Sequence, residues 1–210
     1  MPADSKKAPV SARRGRIMHT SIRHTATPAS TPAPASAPTT VTYCTTLDSP
    51  LGELLLVGVD SPTARCGIAL TSLSLSGQRG ATVVRTHWRR DARPFAEAIR
   101  QLRAYFAGQL PRFELSFQAT GTDFQERVWQ ALDEIPYGTT TTYGRLADAL
   151  GVSRTDVRAL GAAIGANPLL VVRPCHRVIG ADGGMRGYAA GVERKIALLT
   201  HEGALQPTLI

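Results

Sequence analysis

The sequence predicts an α/β amino-terminal domain, a small sheet with one helix, followed by a mainly α carboxy-terminal domain that contains a helix-turn-helix. Three observations predict it. Between residues 41 and 90 the apolar residues come in short runs separated by turn-forming stretches. From Pro94 they recur at helical spacing. From Thr122 onward, helical periodicity is broken by Gly-containing turns into short helices.

Residues 1–40 carry six prolines, many Ala, Ser and Thr, and almost no periodic apolar pattern, so a disordered basic extension is expected. Domain boundaries are expected at 41–115 and 122–205, with a linker near Leu110–Gly121. Val41–Tyr43 and Leu54–Val57 read as strands flanking the turn Asp48-Ser49-Pro50-Leu51-Gly52. Cys66–Leu70 and Ala81–Val84 are further strand candidates. Pro94 opens a helix with Phe95, Ile99, Leu102 and Phe106 on one face and Gly108 beyond its end. This domain is expected to be scaffold.

In the second domain Phe124, Val128, Leu132 and Ile135 share a helical face that ends at Pro136-Tyr137-Gly138. Tyr143, Leu146, Ala147 and Leu150 mark the next helix, closed by Gly151. Ser153 and Asp156 fit a capping box that starts a third helix running to about Ala166. This helix is so rich in Gly and Ala that one face is nearly bare backbone, which suits either close helix packing or close approach to a DNA groove.

The 210 residues allow one or two domains with a sizeable core, and the apolar fraction of 43% is that of a globular protein. No run of apolar residues is long enough for a membrane helix, so no membrane partner is expected. The formal charge of +8 permits phosphate contacts, although residues 1–40 hold six Lys/Arg against one acid and so carry most of the excess. Three cysteines, Cys44, Cys66 and Cys175, are too few for a disulfide framework and fit a reducing cytoplasm. Cys44, Cys66 and His87 do not complete a four-ligand set, so no metal is expected.

Chemistry concentrates in Arg173-Pro174-Cys175-His176-Arg177-Val178-Ile179-Gly180. A thiol attacks as its thiolate, and neighbouring cations favour that form. Pro174 fixes its own φ and stiffens the approach to the cysteine. The pattern reads as a nucleophilic cysteine beside a histidine on a rigid turn.

The longer stretch from Asn167-Pro168 through Cys175-His176 to Gly187-Tyr188-Ala189-Ala190-Gly191 and His201-Glu202-Gly203 resembles the O6-alkylguanine-DNA alkyltransferase family. Upstream the resemblance includes Thr122–Trp129 and Ile135–Gly144, and it spans roughly residues 41 to 205. It implies direct-reversal DNA repair. The alkyl group of O6-alkylguanine, and of O4-alkylthymine, would pass irreversibly to Cys175 after the base is flipped out of the duplex. It implies His176 as base through a water, Glu202 as the residue orienting it, and Asn167 as a brace of the turn. Tyr143 would help turn the nucleotide out and donate to guanine. Arg158 would fill the gap left in the stack. Tyr188, Val178, Ala189, Ala190, Leu170 and Ile164 would form the alkylguanine pocket. No cofactor is implied, and no methyl-donor site or phosphate loop is present. The implied partner is double-stranded DNA containing O6-alkylguanine, bound in the minor groove by a protein that is monomeric in solution and able to assemble cooperatively on DNA. The implied location is the cytoplasm, at the nucleoid in a bacterium.

Four departures from the family pattern stand out. The segment between Tyr143 and Arg158 is one residue longer. Ala190 stands where a glycine is usual, and would add a methyl at the pocket entrance. Leu170 stands where some relatives have proline, and Arg186 adds a cation suited to a phosphate. Three other readings fit the sequence less well. A non-enzymatic lesion sensor would lack the nucleophile, but Cys175 is present. A plain helix-turn-helix binder has no need of Asn167, His176 and Glu202 together. A thiol hydrolase has no need of the Gly/Ala helix with Arg158.

Overall fold

The computed structural model describes residues 40–206, so the expected extension lies outside the described residues except for Thr40. The sheet is built from β1 (Thr42–Ser49), β2 (Gly52–Asp60), β3 (Ile68–Leu75) and β4 (Arg89–Arg90) in the order β3-β2-β1-β4. β1 and β2 form an antiparallel hairpin through the predicted turn, where Gly52 takes φ 106°, a conformation that strongly favours glycine. β2 and β3 are antiparallel with a bulge at Val57/Gly58, and a Cβ at Gly58 would lie 2.9 Å from the Ala69 carbonyl oxygen.

Two strand expectations are corrected. Ala81–Val84 is not a strand; the edge beside β1 is taken by β4, parallel to it, and Val83 is exposed. The 81–84 segment is instead tied over β3 by a hydrogen bond between the Ser72 and Thr82 hydroxyls, 2.6 Å. The strand expected from Cys66 begins at Ile68, because Gly67 takes a left-handed turn conformation.

The helix α1 (Ala96–Phe106) follows a short 3-10 turn that contains Pro94. Its buried face is centred on Ala98, Gln101, Leu102 and Tyr105, with Ile99 and Phe106 only partly buried at its edges. Apolar periodicity found the helix but placed the stripe slightly off, because two polar residues, Gln101 and Tyr105, are buried with partners.

The helical half contains α2 (Asp123–Asp133), α3 (Tyr143–Leu150), α4 (Val157–Gly165) and α5 (Val192–His201). A capping box opens α2, with Thr122 and Gln125 bonding reciprocally. The one expected at Ser153 does not form. The Ser153 hydroxyl accepts from the Thr155 amide and donates to the Asp156 carboxylate, and a 3-10 turn separates it from α4. Gly151 ends α3 in the left-handed conformation, as its position predicts.

A single hydrophobic core runs from Leu47 in β1 to Leu198 in α5 and serves both halves. The outer edge of β3 makes the join. Leu70 bridges Phe117 of the linker, and Leu73 bridges Leu169 of the segment leading to Cys175. The scaffold sheet therefore fixes the turn that carries the cysteine.

Candidate active site

The chain from Asn167 to Cys175 is a knot of tight turns. The Val172 amide donates to the Leu170 carbonyl at 2.7 Å across Val171, whose φ is 68°. A positive φ at a β-branched residue is strained, at a cost on the order of 1–3 kcal/mol. The Cys175 amide donates to the Arg173 carbonyl at 2.8 Å across Pro174, whose φ of −83° and ψ of 56° are those of an inverse γ-turn.

Asn167 holds these turns in place. Its Nδ2 donates to the carbonyls of Leu169 (3.3 Å) and Arg173 (3.0 Å) and to Cys175 Sγ (3.2 Å), while its Oδ1 accepts from the Leu169 amide (3.0 Å). From outside, β3 clamps the same segment through Leu73 N–H to Pro168 O and Leu170 N–H to Leu73 O. Beyond the cysteine, the two-residue strands β5 (Thr141–Thr142) and β6 (Val178–Ile179) pair in parallel. That pairing brings the start of α3, and so Tyr143, beside the cysteine.

Cys175 and His176 are both buried, and Glu202, directly after α5, has a fully buried side chain. Glu202 Oε1 lies 2.8 Å from His176 Nε2. The carboxylate also accepts from Arg177 Nε (2.8 Å) and Nη2 (2.9 Å) and from the Tyr105 hydroxyl (2.7 Å). Burial pushes its pKa up, but hydrogen bonds from His176, Arg177 and Tyr105 outweigh burial and hold it well below the usual carboxylate range. It is therefore ionised and accepts only. His176 Nε2 must carry the proton between them, which leaves Nδ1 as the basic nitrogen. Nδ1 has no hydrogen-bond partner among the described residues. Burial lowers the His176 pKa despite the carboxylate, so the ring is neutral at neutral pH.

The expectation that flanking cations depress the thiol pKa is corrected. Burial pushes Cys175 up to about 11, against the opposing effects of the Asn167 amide and the charges of Lys195 and Arg173. The two arginines beside it are committed elsewhere. Arg173 forks onto Asp133 at 3.0 Å and stacks near Trp129 and Phe117, and Arg177 is held by Glu202 and the Ile135 carbonyl. Lys195, fully buried, donates to Val178 O (2.6 Å) and Arg186 O (3.0 Å), and burial brings its pKa down to about 8.

A cavity of about 120 Å³ opens beside the sulfur, lined by Cys175, Tyr143, Ile164, Tyr188 and Ala189, by Gly161, Gly165 and Gly187, and by Arg79. Gly161 and Gly165 face it from α4, and a Cβ added to either would meet nothing within 4 Å. The bare face of α4 therefore borders open space, while Leu160 and Ala163 are buried and Ile164 is buried at the cavity wall. The Tyr188 hydroxyl is buried and makes no hydrogen bond with any of the described residues.

The sequence-derived site residues divide accordingly. Cys175, His176, Asn167 and Glu202 come together, and Tyr143, Ile164, Tyr188 and Ala189 line the cavity. Arg158 lies exposed in the first turn of α4. Three pocket residues do not line the cavity. Leu170 is buried and its amide is bound to β3, a bond a proline could not make. Val178 is buried in β6, with its carbonyl held by Lys195. Ala190 is buried in the core and is not among the residues that line the cavity. Arg186 is paired with Asp182. Sequence reasoning missed Tyr105, Arg177, Lys195 and Arg79. Tyr105 left one trace, a tyrosine three residues after Leu102 on a buried helical face, which requires a polar partner.

The chain matches the family model of the 6-O-methylguanine DNA methyltransferase DNA binding domain over residues 123–204 and that of the ribonuclease-like domain over residues 42–119. It is 46% identical over 162 residues to a methylated-DNA–protein-cysteine methyltransferase of Mycobacterium bovis, covering 77% of this chain and 93% of the relative. A protein of the same name from Methanosarcina acetivorans is 41% identical, covering 77% of this chain and 99% of the relative. The crystal structure of Mycobacterium tuberculosis OGT in complex with DNA superposes with a TM-score of 0.69 at 46% identity, covering 77% of this chain and 93% of that one.

Proposed function

The chain belongs to the 6-O-methylguanine DNA methyltransferase family and is a methylated-DNA–protein-cysteine methyltransferase, and we propose that Cys175 is the sulfur that takes the alkyl group. The observation that carries this reading is the position of Cys175 Sγ. It lies on the wall of a cavity between α4 and the Tyr188 loop, hydrogen-bonded by Asn167 and next to a histidine whose proton is fixed by Glu202.

The substrate is O6-alkylguanine in duplex DNA, with O4-alkylthymine as a second one. The alkylated atom is out of reach inside a stacked duplex, so the base must enter the cavity extruded. Arg158, exposed on α4, takes the vacated place in the stack, and Tyr143 supports the extruded base and donates to its ring. With a pKa of about 11, Cys175 rests as a thiol, so deprotonation accompanies substrate binding. The thiol proton passes through water to His176 Nδ1. The Sγ lone pair then forms the S–C bond as the C–O6 bond breaks, and its electrons pass into the guanine ring. The proton returns to guanine N1, which yields unmodified guanine and S-alkylcysteine. A thioether offers no good leaving group, so each chain acts once. The reaction belongs in the compartment that holds the chromosome, and the protein acts there as a monomer able to assemble on DNA.

Intact mass spectrometry after mixing with a short duplex carrying one O6-methylguanine tests the reading. One added methyl on the Cys175 peptide, saturating at one per chain and lost in Cys175→Ala, is expected. Methylation elsewhere, or equal transfer by Cys175→Ala, would overturn it. Arg158→Ala should slow repair of duplex DNA more than transfer from free O6-benzylguanine, and an equal loss on both rules out the stack-filling role.

A further inference from the structure

We propose that Arg79, on the loop after β3 in the sheet domain, is a positioning residue that grips a backbone phosphate beside the extruded nucleotide. This rests on the reading of Cys175 as alkyl acceptor. Of the nine residues lining the cavity, Arg79 alone carries a full charge and alone comes from the sheet domain. The rest of the wall is glycine, alanine, isoleucine, two tyrosines and the cysteine. That lining suits a neutral base, which has no need of a guanidinium. The phosphates on either side of an extruded base remain at the mouth, and an exposed guanidinium there meets them with a planar fork of donors.

Two further observations support the assignment. Arg79 is exposed and forms no ion pair with any described residue, whereas Arg173, Arg177 and Arg186 near the same site are all paired with carboxylates. Its backbone is also fixed where the side chain is needed. The Arg79 amide donates to the Ala189 carbonyl at 3.0 Å, which ties the loop to the cavity wall. Gln78 Oε1 accepts from the Leu75 amide at 2.7 Å, and Ser76 is held from both sides. Arg194 is the cross-brace: it donates to Leu51 O (2.9 Å), Ala190 O (3.0 Å) and Ser76 O (3.2 Å), joining the β1–β2 turn, the Tyr188 loop and the Arg79 loop. Little backbone entropy remains to be lost when Arg79 engages a ligand.

The test compares wild type, Arg79→Gln and Arg79→Lys on two substrates, an O6-methylguanine duplex across a salt series and free O6-benzylguanine. Arg79→Gln should weaken duplex binding several-fold and reduce the slope of log affinity against log salt by about one, the signature of one lost phosphate contact. Transfer from the free base, which carries no phosphate, should fall by less than duplex repair, and an unchanged thermal unfolding midpoint shows that the fold is intact. Arg79→Lys should keep the salt slope and recover part of the affinity, because a point charge still pairs with phosphate. An unchanged duplex affinity or salt slope in Arg79→Gln, or an equal loss on both substrates with Arg79→Lys no better, would overturn the proposal. Failure of wild type to alkylate Cys175 with either substrate would instead overturn the reading on which it rests.

Discussion

Tyr105 in α1 donates its hydroxyl to Glu202 Oε1 at 2.7 Å across 97 residues of sequence, so the sheet domain contributes a donor to the carboxylate that is hydrogen-bonded to His176. Tyr105 is fully buried, and burial and the neighbouring carboxylate raise its pKa far above the ordinary phenol value, so it remains a donor at every working pH.

Tyr105→Phe removes one of the four hydrogen bonds to Glu202 and leaves those from His176 and Arg177. Hydrogen bonds to charged groups are worth about 1.5–3 kcal/mol, so denaturant unfolding should show a loss of that size. The single-turnover transfer rate should fall less than in Glu202→Gln, which removes the negative charge and one of the two acceptor oxygens. A Phe variant as stable as wild type would show that the bond contributes nothing.

Asn167→Ala leaves the buried Arg173 carbonyl and Leu169 amide without their side-chain partner and removes the donor to Cys175 Sγ. The Leu169 amide is then unsatisfied, at a cost of about 1–3 kcal/mol, while the Arg173 carbonyl keeps its bond from the Cys175 amide. The strained Val171 turn loses its main restraint as well. The expected outcome is a marked drop in unfolding free energy and a slower transfer even from the free base. Free-base transfer at the wild-type rate would mean that the turn keeps its shape without the amide.

Gly165→Ala separates stability from function. A Cβ there meets no neighbour, and replacing a helical glycine with alanine gains about 0.5–1 kcal/mol. The same methyl projects toward the cavity. Denaturation should show a more stable protein, while repair kinetics show slower transfer from duplex DNA. Unimpaired repair in the stabilised variant would remove this face of α4 from the DNA site.

The acid and base limbs are set by different groups. Cys175, raised to about 11, is a thiol at neutral pH, so iodoacetamide should label it more slowly than exposed Cys66 and progressively faster toward pH 11, read peptide by peptide. Stability should fall on the acid side. The folded-state pKa of His176 is lowered, so its contribution is complete above the ordinary imidazole value of about 6.5 and declines as pH drops below it. Glu202 is lowered too, so its contribution begins to be lost below the ordinary glutamate value of about 4.3. Glu202→Gln should flatten the lower part of that decline. A profile unchanged by that substitution would mean that the acid sensitivity originates elsewhere.

The local elements and the candidate reactive residues were legible in the sequence. Periodicity located α1, α2 and α3, turn chemistry located the β1–β2 hairpin and the Gly151 stop, and the family resemblance singled out Cys175, His176, Asn167 and Glu202, which the fold brings together. The elements are properties of neighbouring residues, and adjacency is what a sequence records. The tertiary structure decided what depends on burial and on partners far along the chain. Which strand pairs at the β1 edge, whether Ala190 lines the pocket or is buried in the core, and the mounting of the reactive turn on β3 all follow from packing. So does the sign of the thiol's pKa shift. Arg173 and Arg177 sit next to Cys175 in sequence, but Asp133 and Glu202 take up their charge, and desolvation outweighs what remains.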